Sequence, residues 1–465
     1  MWPTRSPSTV FRARRARLVG ALGAQAAVLC SGRPRVKNFP ANVHPFRADS
    51  HFLYLVGRSI PDAALLFSNA EPTLFAPPPD PDGALWHGPS PGLDELGADL
   101  GIKVRPLQEL EERLRAIKGE VATVSPNDDV TAAWLSPLLG KRVRARHGAQ
   151  LREGTADAGL AEALIALRLT HDEGAIAQMR QSAAATAIAH RAGMRATRQG
   201  IREAEVAAAM LGAMMTAGMR PSYEPIVTVH GEVLHAETYD NVIAANDLIL
   251  ADVGAETPEG WAADVTRVWP ASGRFSITQR ALYQLVLQAQ LAAIDMVRPK
   301  ARYRDIHETA ARHMLAGLVD LGIFRGEVDG LFERGAHALF FPHGVGHLLG
   351  VDVHDMEDLG DRAGYQAGRT RPTRFGDRYL RLDRDLAPGM AVTIEPGFYQ
   401  VPAILNDPAI TAPFDMNLDR KELAKFRDVR GIRIEDDVLV TENGHEVLTA
   451  SIPKELHDIE SALGM

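Results

Sequence analysis

The sequence predicts an α/β protein of two domains, a small α/β amino-terminal domain over residues 1–158 and a larger domain over residues 159–465. Length is the first reason: 465 residues, 46 % hydrophobic and 24 % charged, exceed one ordinary domain. The second is an alternation of short apolar runs with helical patterns up to about residue 139. The third is an order of two helices and then strands that occurs twice after residue 158, with no obvious sequence identity. That weak repeat suggests two packed halves with a site between them.

Taken in order, residues 11–22 read as a basic amphipathic helix and 25–31 as the first strand. Residues 52–56, 63–67 and 73–75 read as further strands separated by Gly and Pro turns, and 107–117 and 130–139 as helices. No GxxxxGK is present, and no GxGxxG follows a strand, so there is no nucleotide fingerprint. The Arg-, Gly- and Ala-rich stretch 144–158 marks the domain boundary. Beyond it, Leu160, Ala163, Leu164 and Leu167 keep helical spacing. Thr170-His171-Asp172-Glu173 reads as a capping box opening a long alanine-rich helix to about residue 196. A second helix, 202–217, closes at Gly218. Strands are expected at 225–229, 247–254 and 261–269, helices at 277–297 and 303–321, then strands carrying a histidine cluster, and strands at 392–396 and 431–441. Residues 358–386 and 403–426 are polar and aperiodic and read as long loops or insertions.

Composition excludes several functions. Lysine plus arginine number 51 against 59 acids, a net charge of −8, which gives no reason to expect a nucleic-acid or membrane-surface partner. The single cysteine, Cys30, excludes an intramolecular disulfide framework and fits a reducing compartment. No uncharged apolar run approaches the roughly 18 residues of a spanning helix. A cytoplasmic location is expected. The first 48 residues hold no acid and include Arg12, Arg14, Arg15 and Arg17, as organelle transit peptides do, but an ordinary amphipathic helix is the better reading.

The chemistry gathers around residues 341–355, where His343, His347 and His354 fall among glycines and branched apolar residues. Four carboxylates, Asp252, Asp264, Glu395 and Glu435, sit in strand-like apolar surroundings, where an unpaired acid would protonate or destabilise the fold. A divalent metal can partner all four. Carboxylates in excess over imidazole favour a manganese, iron(II) or cobalt type of ion, and the lack of thiolates rules out a cysteine-held zinc. Four carboxylates on one ion would leave net negative charge, so two ions are favoured. In Arg433-Ile434-Glu435, strand alternation puts Arg433 and Glu435 on one face. Asp355, Glu357 and Asp436 are expected to be hydrogen-bonders or salt-bridge partners, and His230, His313 and His337 to be surface or helix-packing residues.

Several segments carry a family resemblance: Asp252-Val253-Gly254, Asp264-Val265-Thr266-Arg267, His343-Gly344-Val345-Gly346-His347, Val353-His354-Asp355, Ile394-Glu395-Pro396-Gly397 and Gly431-Ile432-Arg433-Ile434-Glu435. They resemble the pita-bread metallopeptidases, and within them the aminopeptidase P (Xaa-Pro aminopeptidase) group, with prolidase close behind. Residues 45–57 are similar to the signature of that family's non-catalytic first domain. The resemblance implies a pita-bread catalytic domain with a pseudo-twofold repeat. It implies two metals held by Asp252, Asp264, His347, Glu395 and Glu435, with Asp264 and Glu435 bridging, Asp252 completing one ion, and His347 with Glu395 the other. It further implies accessory roles for His235, His343 and His354, a site arginine in Arg433, and Tyr223 bordering the metals. Mn2+ is the expected ion, with Co2+, Fe2+ and Zn2+ as alternatives, and the expected assembly is a homodimer or homotetramer. The turn between Asp252 and Asp264 carries one residue more than the family leads one to expect, and the insertions at 358–386 and 403–426 are longer.

The implied reaction is hydrolysis of the bond between an amino-terminal residue and a following proline by a hydroxide bridging the two metals, so peptides with proline second are the expected partners. Proline offers no amide hydrogen and stiffens the backbone, so a dedicated pocket is required. Glu395 is the expected proton shuttle. His354 and His235 would face the substrate carbonyl, and His343 the proline side. A prolidase acting only on dipeptides, a methionine aminopeptidase, which would not need the first domain, and a non-catalytic binding protein on the same fold are the alternatives.

Overall fold

The computed structural model describes residues 2–68, 71–146 and 151–464. The chain divides into two compact units, Thr4–Leu169 and a second formed by Met1–Pro3 with Thr170–Met465.

The first unit is built on a five-stranded sheet in the order Lys103–Pro106, Glu71–Ala76, Ala64–Ser68, Ala26–Cys30, Val121–Ala122. Its inner pairs are antiparallel and its two outer pairs parallel. The basic helix Ser8–Leu22 buries Arg14 and Arg15 together with Phe11 and Leu18. Arg15 donates to Leu55 O at 2.8 Å and to Gly101 O at 2.9 Å, and Arg14 to Tyr54 O at 3.2 Å. These arginines satisfy helix-end carbonyls that would otherwise lack partners.

Residues 52–56, expected as a strand, form the helix Ser50–Val56 instead. Asp49 caps it by accepting from His51 N, and Gly57 ends it at φ +74°. All seven helical residues are buried, and a short apolar run carries no period that separates a buried strand from a buried helix. Helix Ala156–Arg168 belongs to this unit, which ends at Leu169. Tyr54 Oη donates to Leu167 O at 3.0 Å, and Arg168 lies 2.8 Å from His51 Nδ1.

In the second unit the repeat of helix pair and sheet is present. Helices Glu173–Ala196 and Glu203–Thr216 pack together, followed by an antiparallel sheet of Ile226–Thr228, Leu248–Asp252 and Thr266–Pro270. Helices Ile277–Asp295 and Tyr303–Asp320 pack likewise, followed by an antiparallel sheet of Ala391–Ile394, Asp436–Val440 and His445–Val447. The long helix from Glu173 is capped by Asp172, which accepts from Ala175 N, and not by the Thr170–Glu173 box. Ser276 and Gln279 form a capping box at the third helix. Glu435 N donates to Thr266 O at 3.1 Å, and the Asp437 carboxylate accepts from Asp264 N at 3.2 Å. These bonds tie the two sheets together beside the acids.

The histidine cluster is not strand. Residues 343–355 run as irregular backbone tied to strand Ala391–Ile394 by the bridge Leu348 to Val392 and by backbone bonds such as Leu349 N to Ala391 O and Thr393 N to His347 O, each at 3.0 Å. Gly346 has φ +152°, and a Cβ there would lie 2.3 Å from Thr393 O. Only glycine allows this loop to press onto strand Ala391–Ile394. Among the described residues no helix is long and apolar enough to cross a membrane.

Candidate metal centre

Each of the four expected carboxylate ligands sits at a strand end or break, and His347 sits on the irregular loop. Asp252 ends strand Leu248–Asp252, Asp264 lies two residues before Thr266–Pro270, Glu395 directly follows Ala391–Ile394, and Glu435 falls between Gly431–Arg433 and Asp436–Val440. The expected strands over 261–269 and 431–441 are therefore shorter or interrupted. Their breaks turn the acids inward from rigid supports. All five line one cavity of about 430 Å³, with His235, His343, His354 and Arg433.

Donor atoms fall into overlapping groups within 4.8 Å of one another: Asp252 with Asp264 and Glu435, His347 with Glu395 and Glu435, and Asp264 with His347 and His354. Glu435 joins the first two groups and Asp264 the first and third. His347 Nε2 stands 3.4 Å from Asp264 Oδ2 and 3.5 Å from Glu395 Oε1. Its Nδ1 lies 3.0 Å from Leu348 O, a contact that keeps the proton on that nitrogen and turns the Nε2 lone pair toward the carboxylates.

Four carboxylates face a single buried cation, Arg433. It donates to Asp252 Oδ2 at 2.5 Å, Thr266 Oγ1 at 2.8 Å and Tyr399 Oη at 3.0 Å. The acids show the imbalance. Burial pushes Glu435 well up, and the Asp264 and Glu395 charges push it further. Burial raises Glu395 to about 7. Asp252 is raised by burial against the pull of Arg433. Asp264 is held below the usual range because its pairing with His347 outweighs burial, and His347 is raised by the same acids. The residues fit two divalent cations: hard oxygen donors in excess, one correctly oriented imidazole, and a buried negative charge that a single guanidinium does not balance.

Tyr223 Oη donates to Asp252 Oδ1 at 2.6 Å, where the sequence reading put a bordering tyrosine. His343, pushed down to about 3 by burial and then by Arg433, is neutral. Its Nδ1 lies 2.7 Å from Gly344 O and its Nε2 2.9 Å from Tyr399 Oη, so Arg433 donates to Tyr399, Tyr399 to His343, and His343 to the carbonyl. His354, pushed down to about 2 by burial, is half-exposed with Glu357 at 3.7 Å, and His235 lies exposed on the cavity rim.

Sequence reasoning missed three members. Thr266 Oγ1 donates to Glu435 Oε2 at 2.7 Å while accepting from Arg433, Thr393 Oγ1 accepts from His347 N at 3.1 Å, and Tyr399 links Arg433 to His343. Thr266 lies in the quoted run 264–267 and was open to notice; nothing local marks Tyr399.

The model of Metallopeptidase family M24 matches residues 177–442, and that of the aminopeptidase P N-terminal domain matches residues 11–124. The chain belongs to metallopeptidase family M24. An Aspergillus niger protein named "Probable Xaa-Pro aminopeptidase pepP" is 35 % identical over 438 residues, 89 % of this chain and 88 % of that one. The structure of Pseudomonas aeruginosa aminopeptidase PepP superposes with a TM-score of 0.82 at 32 % identity, covering 99 % of this chain and 98 % of that chain. Zinc-substituted Escherichia coli aminopeptidase P in complex with product gives 0.80 at 28 % identity, covering 99 % of each chain. The M24 unit has the pita-bread fold, and the two helix-pair-and-sheet halves described above are its repeat.

Proposed function

We propose that this M24 protein is a Xaa-Pro aminopeptidase that removes the residue preceding an amino-terminal Xaa-Pro bond, using two divalent cations held by Asp252, Asp264, His347, Glu395 and Glu435. The convergence of these five donors in one cavity is the observation that carries the reading. When bound, the ions supply Lewis acidity and an acidified water at neutral pH. Manganese is the expected ion because the donors are mainly hard oxygens.

The chain's own groups account for the remaining work. Glu395, on the cavity wall beside His347, accepts a proton from water and returns it to the proline nitrogen, which must be protonated to leave. Neutral His354, with His235 at the rim, donates to the carbonyl oxygen as charge develops there. Arg433 and Tyr399 fix His343 in one tautomer beside Pro342, Phe375 and Tyr379, an apolar wall suited to a pyrrolidine ring. Every residue lining the cavity follows residue 233, which supports a non-catalytic role for the first unit. A homodimer or homotetramer is read from the family resemblance, which light scattering tests, and a cytoplasmic location from the single cysteine.

The test is a substrate-length series with Mn2+ added. Release of the first residue from Xaa-Pro-Yaa tripeptides and longer peptides, with no release from Xaa-Ala-Yaa, is expected. Cleavage confined to Xaa-Pro dipeptides would make the protein a prolidase.

A further inference from the structure

We infer that the protein carries a third metal site, separate from the dinuclear cavity, in which His307, His337 and Asp377 hold a zinc-type divalent ion. His337, expected from the sequence to be a packing residue, is 1 % exposed and His307 3 %. All four ring nitrogens are buried: those of His307 have no hydrogen-bond partner among the described residues, and His337 pairs with the Asp377 carboxylate. A buried imidazole that serves only as packing ordinarily finds at least one polar partner. Here one ligand atom from each of the three residues lies within 4.8 Å of the others, and His337 Nε2 is 3.3 Å from Asp377 Oδ1.

The surroundings suit a bound ion. Arg374 Nε donates to Asp377 Oδ2 at 2.6 Å, fixing the carboxylate with Oδ1 toward the imidazoles, the kind of outer contact that orients metal-binding carboxylates. Phe332 stacks on His337 at 5.3 Å and Phe341 packs on His307 at 5.4 Å, forming a dry wall. Two imidazoles and one carboxylate, with a fourth position left for water, match a tetrahedral zinc-type donor set, in contrast to the oxygen-rich cavity. The two sites share no ligand.

The three ligands come from helix Tyr303–Asp320, the turn Ala336–Leu339 that leads into the histidine loop, and the turn Asp377–Tyr379 inside the insertion 358–386. Phe375 and Tyr379 of that insertion line the dinuclear cavity. An ion at this point fastens the insertion, and with it one wall of the cavity, to the body of the unit. The insertion then has a structural purpose that its sequence alone did not reveal.

The experiment uses the full chain with the dinuclear site disabled by Asp264→Ala and Glu435→Ala, stripped with a chelator and dialysed against Zn2+, then against Co2+. One Zn2+ per chain is expected by elemental analysis, and the Co2+ form should give the intense visible bands of a four-coordinate site. Adding Asp377→Asn, which keeps the side chain's shape, should weaken Zn2+ binding at least tenfold; His337→Leu should remove it, with circular dichroism reporting the fold. Zinc should also slow proteolysis within 361–386 in the parent but not in the Asp377→Asn chain. If the double variant does not fold, the unmutated protein should hold three ions and its Asp377→Asn form two. No zinc in the parent, or undiminished binding after Asp377→Asn in either background, overturns the proposal, whether or not the dinuclear reading stands.

Discussion

The cavity around Glu435 and the interior around Asp436 are separated by one peptide bond, yet they handle buried charge in opposite ways. Asp436 Oδ1 accepts from Arg267 at 2.7 Å and Thr449 at 2.8 Å; its Oδ2 accepts from Gln290 and Lys454, each at 2.7 Å. Its carboxyl is held far below the ordinary range, because those two cations outweigh burial. Glu435 faces Asp264, Glu395 and Asp252, with one guanidinium shared among them, and is pushed well up. A balanced buried acid is complete within the fold. An unbalanced cluster of acids on rigid strand ends destabilises the empty protein and awaits cations, which is how a metal centre differs from a structural ion pair.

The largest effect should come from removing the unbalanced side: Asp264→Ala or Glu435→Ala is expected to abolish both metal binding and activity, checked by elemental analysis and peptide hydrolysis. The stability of the metal-free protein should then separate the two neighbours. Asp436→Asn strands Arg267 and should cost about 3–5 kcal/mol in denaturant unfolding, whereas Glu435→Gln relieves like-charge crowding and should leave the metal-free protein as stable or more so. A lower stability for Glu435→Gln than for Asp436→Asn would break the comparison. Next, His354→Ala should keep both ions and lower kcat by the loss of about 2.7–4 kcal/mol of transition-state stabilisation, the usual size for one such donor.

The smallest effect is a pH trend. Glu395 in the fold titrates near 7, above its ordinary 4.5. Its protonated form is favoured by folding, so its contribution is complete below pH 4.5 and is lost as pH rises through 7. His190 and His343, both pushed down to about 3, act in the opposite direction, with stability lost as pH falls below about 6.5. Those histidines are common to wild type and Glu395→Gln, so the difference in Tm between the two metal-free proteins isolates Glu395. Wild type should lose ground steadily from pH 4.5 to 7; a constant difference would count against the raised carboxyl.

The cluster of candidate ligands was legible because acids inside apolar strand-like runs violate the expected pattern, and such a violation needs a partner. Asp252, Asp264, Glu395 and Glu435 stand out this way, and their common cavity follows from the repeat of helices and sheets. The family resemblance, and not spacing, divided the labour among His343, His347 and His354. Other features had no local signal. Residues 50–56 are uniformly apolar and buried, so no period distinguished helix from strand. The interruptions beside Asp264 and Glu435 arise from bonds between distant strands, as do the contacts of Tyr399. His337 carries no sequence signal of the neighbours it meets in the fold, because His307 and Asp377 lie thirty and forty residues away in sequence.

The central claim is tested most directly by titrating Mn2+ into chelator-stripped protein while following release of the first residue from a Xaa-Pro-Yaa tripeptide. The account predicts no turnover in chelator, a rise with added Mn2+ to a plateau at two active-site ions per chain, and no rise at all for Glu435→Ala. Full turnover in the presence of chelator, or an unimpaired Glu435→Ala protein, would contradict it.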